Sequence, residues 1–396
     1  MKQAGEKLSP VVIRLGWVSF FTDAASEMLY PIIPLFLTVT LGAPVAAVGV
    51  VEGIADGIST GLRAVSGWLS DKYRRNKLQV VIGYGIAALS KPLTALVPAW
   101  GYVAGLRAVD RVGKAIRTAP RDVMIADASS AEQRGRAFGF HRAMDTAGAV
   151  LGPLIAIAFL LAFGRDRLRP LFLIALIPGL ASLVLVNTLP ESKRGAGHRW
   201  EPGPLPWRGR YGWFVGVTVL FGIGNSSDAF LLLRAKNLGL GVIAVIVAYV
   251  LYNTLYAAVS YPAGALSDRR SRYGIYAVGL VIFAFVYAAF GLVSSSGWAW
   301  PLFAVYGVYI ALTDGIGRAI VVDLVPENIR GKALGVWQAL YGASVLVAGI
   351  TAGILWDRVS PRAPFFLGGA TALSAAALLM VGLPGLRRRE RARAGS

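Results

Sequence analysis

Apolar residues run along this chain in twelve long stretches separated by short polar or basic segments. A helix needs roughly 20 apolar residues to cross a bilayer, and backbone in lipid must satisfy its own hydrogen bonds, in a helix or a closed barrel. Stretches of this length predict helices at 11–41, 44–70, 78–97, 99–125, 132–163 and 168–189. A second set follows at 211–238, 241–267, 273–294, 299–325, 328–356 and 363–384. Between the sets, 190–210 carries Pro, Gly and Arg without apolar periodicity, which reads as a linker. The expected architecture is an all-α integral membrane protein with twelve transmembrane helices in two pseudo-symmetric six-helix bundles. Residues 1–189 form the first bundle, 190–210 a cytoplasmic linker, and 211–396 the second bundle with a basic tail.

The two halves repeat each other in residues as well as in hydropathy. Asp110-Arg-Val-Gly113-Lys114-Ala115-Ile116 matches Asp314-Gly-Ile-Gly317-Arg318-Ala319-Ile320. Arg134-Gly-Arg-Ala-Phe-Gly139 matches Arg330-Gly-Lys-Ala-Leu-Gly335, and Gly67-Trp-Leu-Ser-Asp71 matches Gly264-Ala-Leu-Ser-Asp268. Three matches in register point to internal duplication. Parallel halves of this kind hold substrate at their interface and rock between two access states.

Composition supports the membrane assignment. Hydrophobic residues make up 56%, charged residues 15%, and mean hydropathy is +0.59, against about 25% charged in soluble domains. The 47 glycines suit close helix packing in lipid, and a chain with no cysteine makes neither disulfides nor thiolate metal sites.

The net charge of +19 is informative through its placement. Bases crowd alternate linkers, around 72–77, 134–136, 193–210, 269–272, 330–332 and 387–393, whereas the linkers near Ala43, Pro98, Asn237 and Ser295 are nearly uncharged. By the positive-inside rule, both termini and the central linker are cytoplasmic; the arginines at 165, 167, 169, 358 and 362 are exceptions. Basic clusters separated by spans do not make a nucleic-acid surface, so no nucleic-acid partner is expected. The first span is long and eleven follow it, so no cleavable signal peptide is expected either.

The segment Gly67-Trp-Leu-Ser-Asp71-Lys-Tyr-Arg74-Arg75-Asn76-Lys77 resembles the loop pattern G-x-L-[AS]-D-[RK]-x-G-R-[RK]-x of the major facilitator superfamily, with Arg74 in place of the usual glycine and Asn76 in place of a base. Arg107-Ala-Val-Asp110-Arg111-Val-Gly113 is similar to that family's R-x-x-Q-G-x-G, with Asp110 and Arg111 replacing glutamine and glycine. Gly148-Ala-Val-Leu-Gly152-Pro153 resembles the G-x-x-x-G-P of its drug/proton antiporters and other exporters. The resemblance covers nearly the whole chain. It implies the major facilitator fold, alternating access, a gating role for Gly67, Asp71, Arg75, Arg107, Gly264 and Asp268, and a tilt towards export. Physically, a carboxylate such as Asp71 at a helix C-terminus opposes the dipole and seeks a cation or another helix's N-terminus.

Ionisable residues within spans are costly unless they face a cavity or a partner. At about 1.5 Å of rise per residue, Glu27, Asp56, Asp110, Asp145, Asp228 and Asp314 all lie near mid-membrane. Asp23 and Glu27 share a helical face, as do Glu52, Asp56 and Arg63, and His141 and Asp145. A wet central cavity lined by spans one, two, four, five, seven and ten would accommodate them. The bases Arg107, Arg111, Lys114, Arg117 and Arg121 recur at three or four residues along the fourth span. With Arg63 they form an anion-binding wall or neutralise the nearby acids; Lys91 is expected to partner an acid on another helix. Asn225-Ser226-Ser227-Asp228 answers Ala24-Ala25-Ser26-Glu27 across the repeat, and Tyr252 and Trp337 are candidate pocket aromatics. Pro31 and Pro34 should bend the first span beyond Glu27.

No nucleotide-binding motif is present, so proton coupling is the expected energy source, carried by Asp23, Glu27, His141 and Asp145. A carboxyl in low dielectric can bind and release protons near neutrality. Substrate contacts are assigned to Glu27, Asp56, Arg63, Asp110, Arg111, Lys114, Asn225, Asp228, Tyr252, Asp314 and Trp337. His141 with Asp145 is too small a set for a resident metal site, and no cofactor is expected. No nucleophile stands beside a base on any span, which argues against an enzyme. The expected protein is a monomeric, multi-pass cell-membrane antiporter, exporting a small cationic or amphipathic compound or a metal against protons. The alternative is a carrier for an anionic or zwitterionic metabolite.

Overall fold

The computed structural model describes residues 8–73, 76–130, 134–191, 204–207, 209–326 and 329–394. Among them there are helices and connecting turns but no strands. Backbone contacts divide the chain into two units, one of residues 1–42 and 58–199, the other of 43–57 and 200–396.

The first span is broken where its prolines lie. Helix α1 (Pro10–Leu29) starts on a Ser9 cap with proline in its first turn. It ends at Tyr30–Pro31, and α2 (Ile32–Leu35) passes into a π turn at Phe36–Thr40. Then come α3 (Val45–Tyr73), α4 (Asn76–Leu93) with a 3₁₀ turn at Thr94–Leu96, α5 (Trp100–Asp127), α6 (Arg134–Phe163), α7 (Arg169–Ile174) and α8 (Leu176–Asn187). In the first unit α1 packs on α6 and α8, and α4 packs on α5 and α8.

The α1–α6 contact depends on small residues. A Cβ on Gly148 would come within 2.3 Å of the Phe20 carbonyl oxygen, and one on Gly152 within 2.4 Å of that of Ala24. Backbones approach this closely only where a side chain is missing. Gly148→Leu is therefore expected to lower stability by at least about 1–3 kcal/mol through overpacking. Gly139→Ala, on the same helix with open space around its Cβ, should change little; thermal unfolding of the two purified variants against the parent checks this.

The second unit holds α9 (Arg210–Gly224), α10 (Asp228–Asn237), α11 (Val242–Arg269), α12 (Arg272–Leu292), α13 (Ala299–Asp323), α14 (Arg330–Arg358) and α15 (Ala363–Ala394). Here α9 packs on α14 and α15, and α12 on α13 and α15, the same partner scheme as in the first unit. The hydroxyl of Tyr211 donates to the Ala333 carbonyl at 2.8 Å, and Trp337 Nε1 donates to Thr218 Oγ1 at 2.9 Å, tying α9 to α14. The seventh expected span, read as one helix over 211–238, is two helices separated by Asn225–Ser227, with Ser227 capping α10. Buried Arg234 donates to the carbonyls of Phe290 at 3.0 Å and Val293 at 2.8 Å, satisfying the end of α12.

Nine helices or helix pairs among the described residues are long and apolar enough to cross a membrane. The expected first, second and fourth spans are not among them. In α5 the reason is visible in the sequence, where Arg107, Asp110, Arg111, Lys114, Arg117 and Arg121 interrupt the apolar run.

Candidate functional site

A cleft opens in the first unit between α1, α4, α5 and α7. Its polar wall is made by Glu27 of α1, Lys91 of α4, and Arg107, Asp110, Arg111 and Lys114 of α5, with Ser26, Tyr30, Ser90 and Thr94 beside them. The α5 positions 107, 111 and 114 follow helical spacing, so one face of that helix carries the charge. Four bases thus stand against two carboxylates.

One of those carboxylates is already neutralised. Lys91 Nζ lies 2.9 Å from Asp110 Oδ1 and also donates to the Ala87 carbonyl at 2.9 Å; both side chains are about nine-tenths buried. This is the acid on another helix that Lys91 was expected to find. Close approach of α4 and α5 makes the pairing possible, since a Cβ on Gly113 would sit 2.9 Å from the Gly83 carbonyl oxygen. What remains is a surplus of positive charge along Arg107, Arg111 and Lys114. Arg111 Nε is buried and has no hydrogen-bond partner among the described residues. Deeper along α5, Arg117 stacks over the Tyr84 ring, 4.2 Å from its centroid.

Other expected proton carriers lie outside the cleft lining. His141 Nδ1 is 3.6 Å from Asp145 Oδ2, one turn away on α6, and Arg142 approaches the same carboxylate at 3.9 Å. Ser19 Oγ of α1 donates to Asp145. Asp23 is half-buried on α1 and does not line the cleft.

In the second unit the break between α9 and α10 is surrounded by phenols. Asp228 Oδ2 accepts from the Tyr252 hydroxyl at 2.7 Å and Oδ1 from the Tyr306 hydroxyl at 2.5 Å. Asn225 Nδ2 donates to Tyr341 at 2.7 Å and to Tyr309 at 3.3 Å, and Ser226 meets the Tyr287 hydroxyl at 3.2 Å. Trp337 stacks on Tyr341 of this group, at 6.2 Å between centroids. Asp314 stands apart, bonded to Tyr256 at 3.0 Å and Arg318 at 2.7 Å.

Of the expected site residues, Glu27, Arg107, Asp110, Arg111 and Lys114 come together in one unit, and Asn225, Asp228 and Tyr252 in the other. The side chains of Asp56, Arg63, Asp71 and Asp268 lie outside the described set, as does residue Arg75, and nothing is described around Gly67. Gly264 is half-buried, and its carbonyl accepts from Ser267 Oγ at 2.7 Å. Tyr306 was not legible in the sequence, where a tyrosine in an apolar run looks like packing. The Lys91–Asp110 pair makes Lys91 part of the cleft wall as well. No group of three or more His, Asp or Glu able to hold a metal occurs among the described residues.

The profile of the family described as Major Facilitator Superfamily matches residues 15–313 and 212–396. An uncharacterised MFS-type transporter of Methanocaldococcus jannaschii is 34% identical over 382 residues, covering 94% of this chain and 95% of its own length. An uncharacterised protein of Mycobacterium tuberculosis is 31% identical over 81% of this chain and 80% of its own. Among solved structures, the nucleoside transporter NupG superposes with a TM-score of 0.78 at 14% identity, covering 94% of this chain and 98% of that one. A D-xylose-proton symporter superposes with a TM-score of 0.71 at 18% identity, covering 93% and 95%. At these identities the structural likeness speaks for the fold.

Proposed function

This chain belongs to the major facilitator superfamily, and from that premise we propose that it is a proton-coupled secondary carrier for a small anionic or zwitterionic compound, working by alternating access. It is a multi-pass membrane protein whose fold indicates secondary transport. We place it in the cell membrane as a monomer of two six-helix bundles, with twelve spans and both termini cytoplasmic. The nine apolar spans are then completed by α1 with α2, by α3 and by α5. Placing α5 in the membrane is reasonable because Arg107, Arg111 and Lys114 share a face that lines the cleft, where charge is tolerated.

The observation that carries the substrate class is the cleft's charge. Lys91 cancels Asp110, which leaves Arg107, Arg111 and Lys114 facing Glu27. Guanidinium and ammonium donors at a carboxylate or phosphate make short, charge-assisted bonds. Glu27 supplies either the partner for an ammonium on the same ligand or the exchangeable proton.

A ligand that binds only the folded state raises its melting temperature. In a thermal-shift screen of purified protein against small carboxylates, phosphates, amino acids, organic cations and divalent metals, anionic or zwitterionic compounds are expected to stabilise. Arg111→Ala and Lys114→Ala should each weaken that binding by roughly 10- to 100-fold, the loss of one hydrogen bond to a charged group, about 1.5–3 kcal/mol. Undiminished binding in both variants would remove the basic wall from substrate recognition.

A second reading, export of a cationic compound, is favoured by Asp228, an acid held by the hydroxyls of Tyr252 and Tyr306, because a carboxylate at membrane depth attracts a cationic ligand. The same screen separates the two. Stabilisation by organic cations that disappears in Asp228→Asn would support export of a cation.

A further inference from the structure

Other described acids of the spans stand beside bases. Asp110 is 2.9 Å from Lys91, Asp145 is 3.9 Å from Arg142, and Asp314 is 2.7 Å from Arg318. Asp228 forms no ion pair among the described residues. It opens the ten-residue α10 just past the Asn225–Ser227 break, and both carboxylate oxygens accept phenolic hydroxyls, from Tyr306 at 2.5 Å and Tyr252 at 2.7 Å. Among the described residues, the phenols of Tyr252 on α11 and Tyr306 on α13 bond it, and Glu52 of α3, Tyr287 of α12 and Tyr309 of α13 act on it electrostatically. None is a base, and Glu52 is itself buried.

An ionised carboxylate at membrane depth, next to a second buried acid, needs a counter-charge. Among the described residues no base stands beside Asp228, whose charge is met by the α10 N-terminus and two phenolic hydroxyls; a cation that binds would complete the neutralisation. We propose that Asp228, with Tyr252 and Tyr306, is a proton-binding site of the second unit, separate from the acids of the first. A hard divalent cation takes about six to eight oxygen ligands and would have to displace both phenolic protons from the carboxylate. A proton needs one oxygen only.

The step balances without a further reactant. Hydronium gives a proton to one carboxylate oxygen, forming an O–H bond and leaving water. That oxygen gains a donor hydrogen and becomes a weaker acceptor, so the bond from the tyrosine that donated to it weakens. On deprotonation the proton returns to water and that bond regains its strength. Tyr252 lies on α11 and Tyr306 on α13, two helices packed on each other. Protonation therefore changes how α10, at the helix break, is tied to that pair. Its use in transport rests on the proton-coupled reading above, but the binding itself can be measured without substrate.

The test is infrared difference spectroscopy of the purified full-length protein between alkaline and acid buffer at constant NaCl, repeated at constant pH with NaCl exchanged for choline chloride. Acidification is expected to raise a carboxyl C=O stretch, one component of which is lost in Asp228→Asn and shifted in frequency in Tyr306→Phe and Tyr252→Phe. The two phenylalanine variants keep the ring packing and serve if Asp228→Asn does not fold. An acid-induced spectrum identical in Asp228→Asn and the parent would overturn the proposal. So would a spectrum untouched by both phenylalanine variants, or a response to Na⁺ in place of acid. Loss of the proposal by these results, with anion-induced thermal stabilisation intact, would leave the substrate class standing.

Discussion

Lys91→Met is expected to destabilise the protein by about 3–5 kcal/mol, because it leaves the Asp110 carboxylate buried without its partner. Lys91 Nζ and Asp110 Oδ1 are 2.9 Å apart, with about a tenth of each side chain exposed. Ser90 Oγ, at 3.5 Å from Asp110 Oδ1, is too long to stand in for an ammonium. Asp110→Leu alone should cost a similar amount, since it strands the ammonium. The double variant, Lys91→Met with Asp110→Leu, should recover most of the loss, because replacing a whole buried pair by apolar groups is often close to neutral. Thermal unfolding of the three variants and the parent closes the cycle. Additive losses in the double variant would mean that the two residues act independently and that the cleft wall is organised in another way.

The second large effect is expected at Glu27. Glu27→Gln keeps the shape and hydrogen-bonding capacity of the side chain but cannot exchange a proton. Accumulation of an anion driven by a pH gradient should be abolished in proteoliposomes of this variant, while exchange of labelled for unlabelled compound across the membrane persists. Full gradient-driven accumulation by Glu27→Gln would exclude Glu27 as the proton carrier. The burden would then fall on Asp145 with His141, or on Asp228.

Hydropathy made the helical, multi-span design legible because lipid allows few alternatives for a long apolar run. The break in the seventh span was not legible in the same way. Averaged over 211–238 the stretch stays apolar, and only the tripeptide Asn225-Ser226-Ser227 marks the interruption, held open by phenols that arrive from α12, α13 and α14. The prolines at 31 and 34 gave a stronger local signal, since a proline removes a backbone donor, and the first span does break there.

At the candidate site, the kinds of residue were easier to read than their partners. A lone lysine in the third span needs an acid, and helical spacing shows which residues of α5 share a face. Which acid Lys91 meets depends on how α4 and α5 slide together, and that register is set by Gly83 against Gly113. Single-helix periodicity carries no information about it. The same holds for Tyr252 and Tyr306, 54 positions apart in the chain and brought to one carboxylate by the α11–α13 contact. The charge of the cleft was ambiguous in the sequence for a related reason: bases on α5 read equally as an anion wall or as neutralising partners until the Lys91–Asp110 pair removes one acid from the balance.

The most direct test is counterflow in proteoliposomes, using the anionic or zwitterionic compound that gives the largest thermal shift. The expected result is saturable uptake of the labelled compound, accelerated by unlabelled compound on the opposite side and driven uphill by an acid gradient. Non-saturating flux without counterflow, as through a pore, would contradict alternating access. Chemical turnover of the compound without its movement across the membrane would contradict transport altogether.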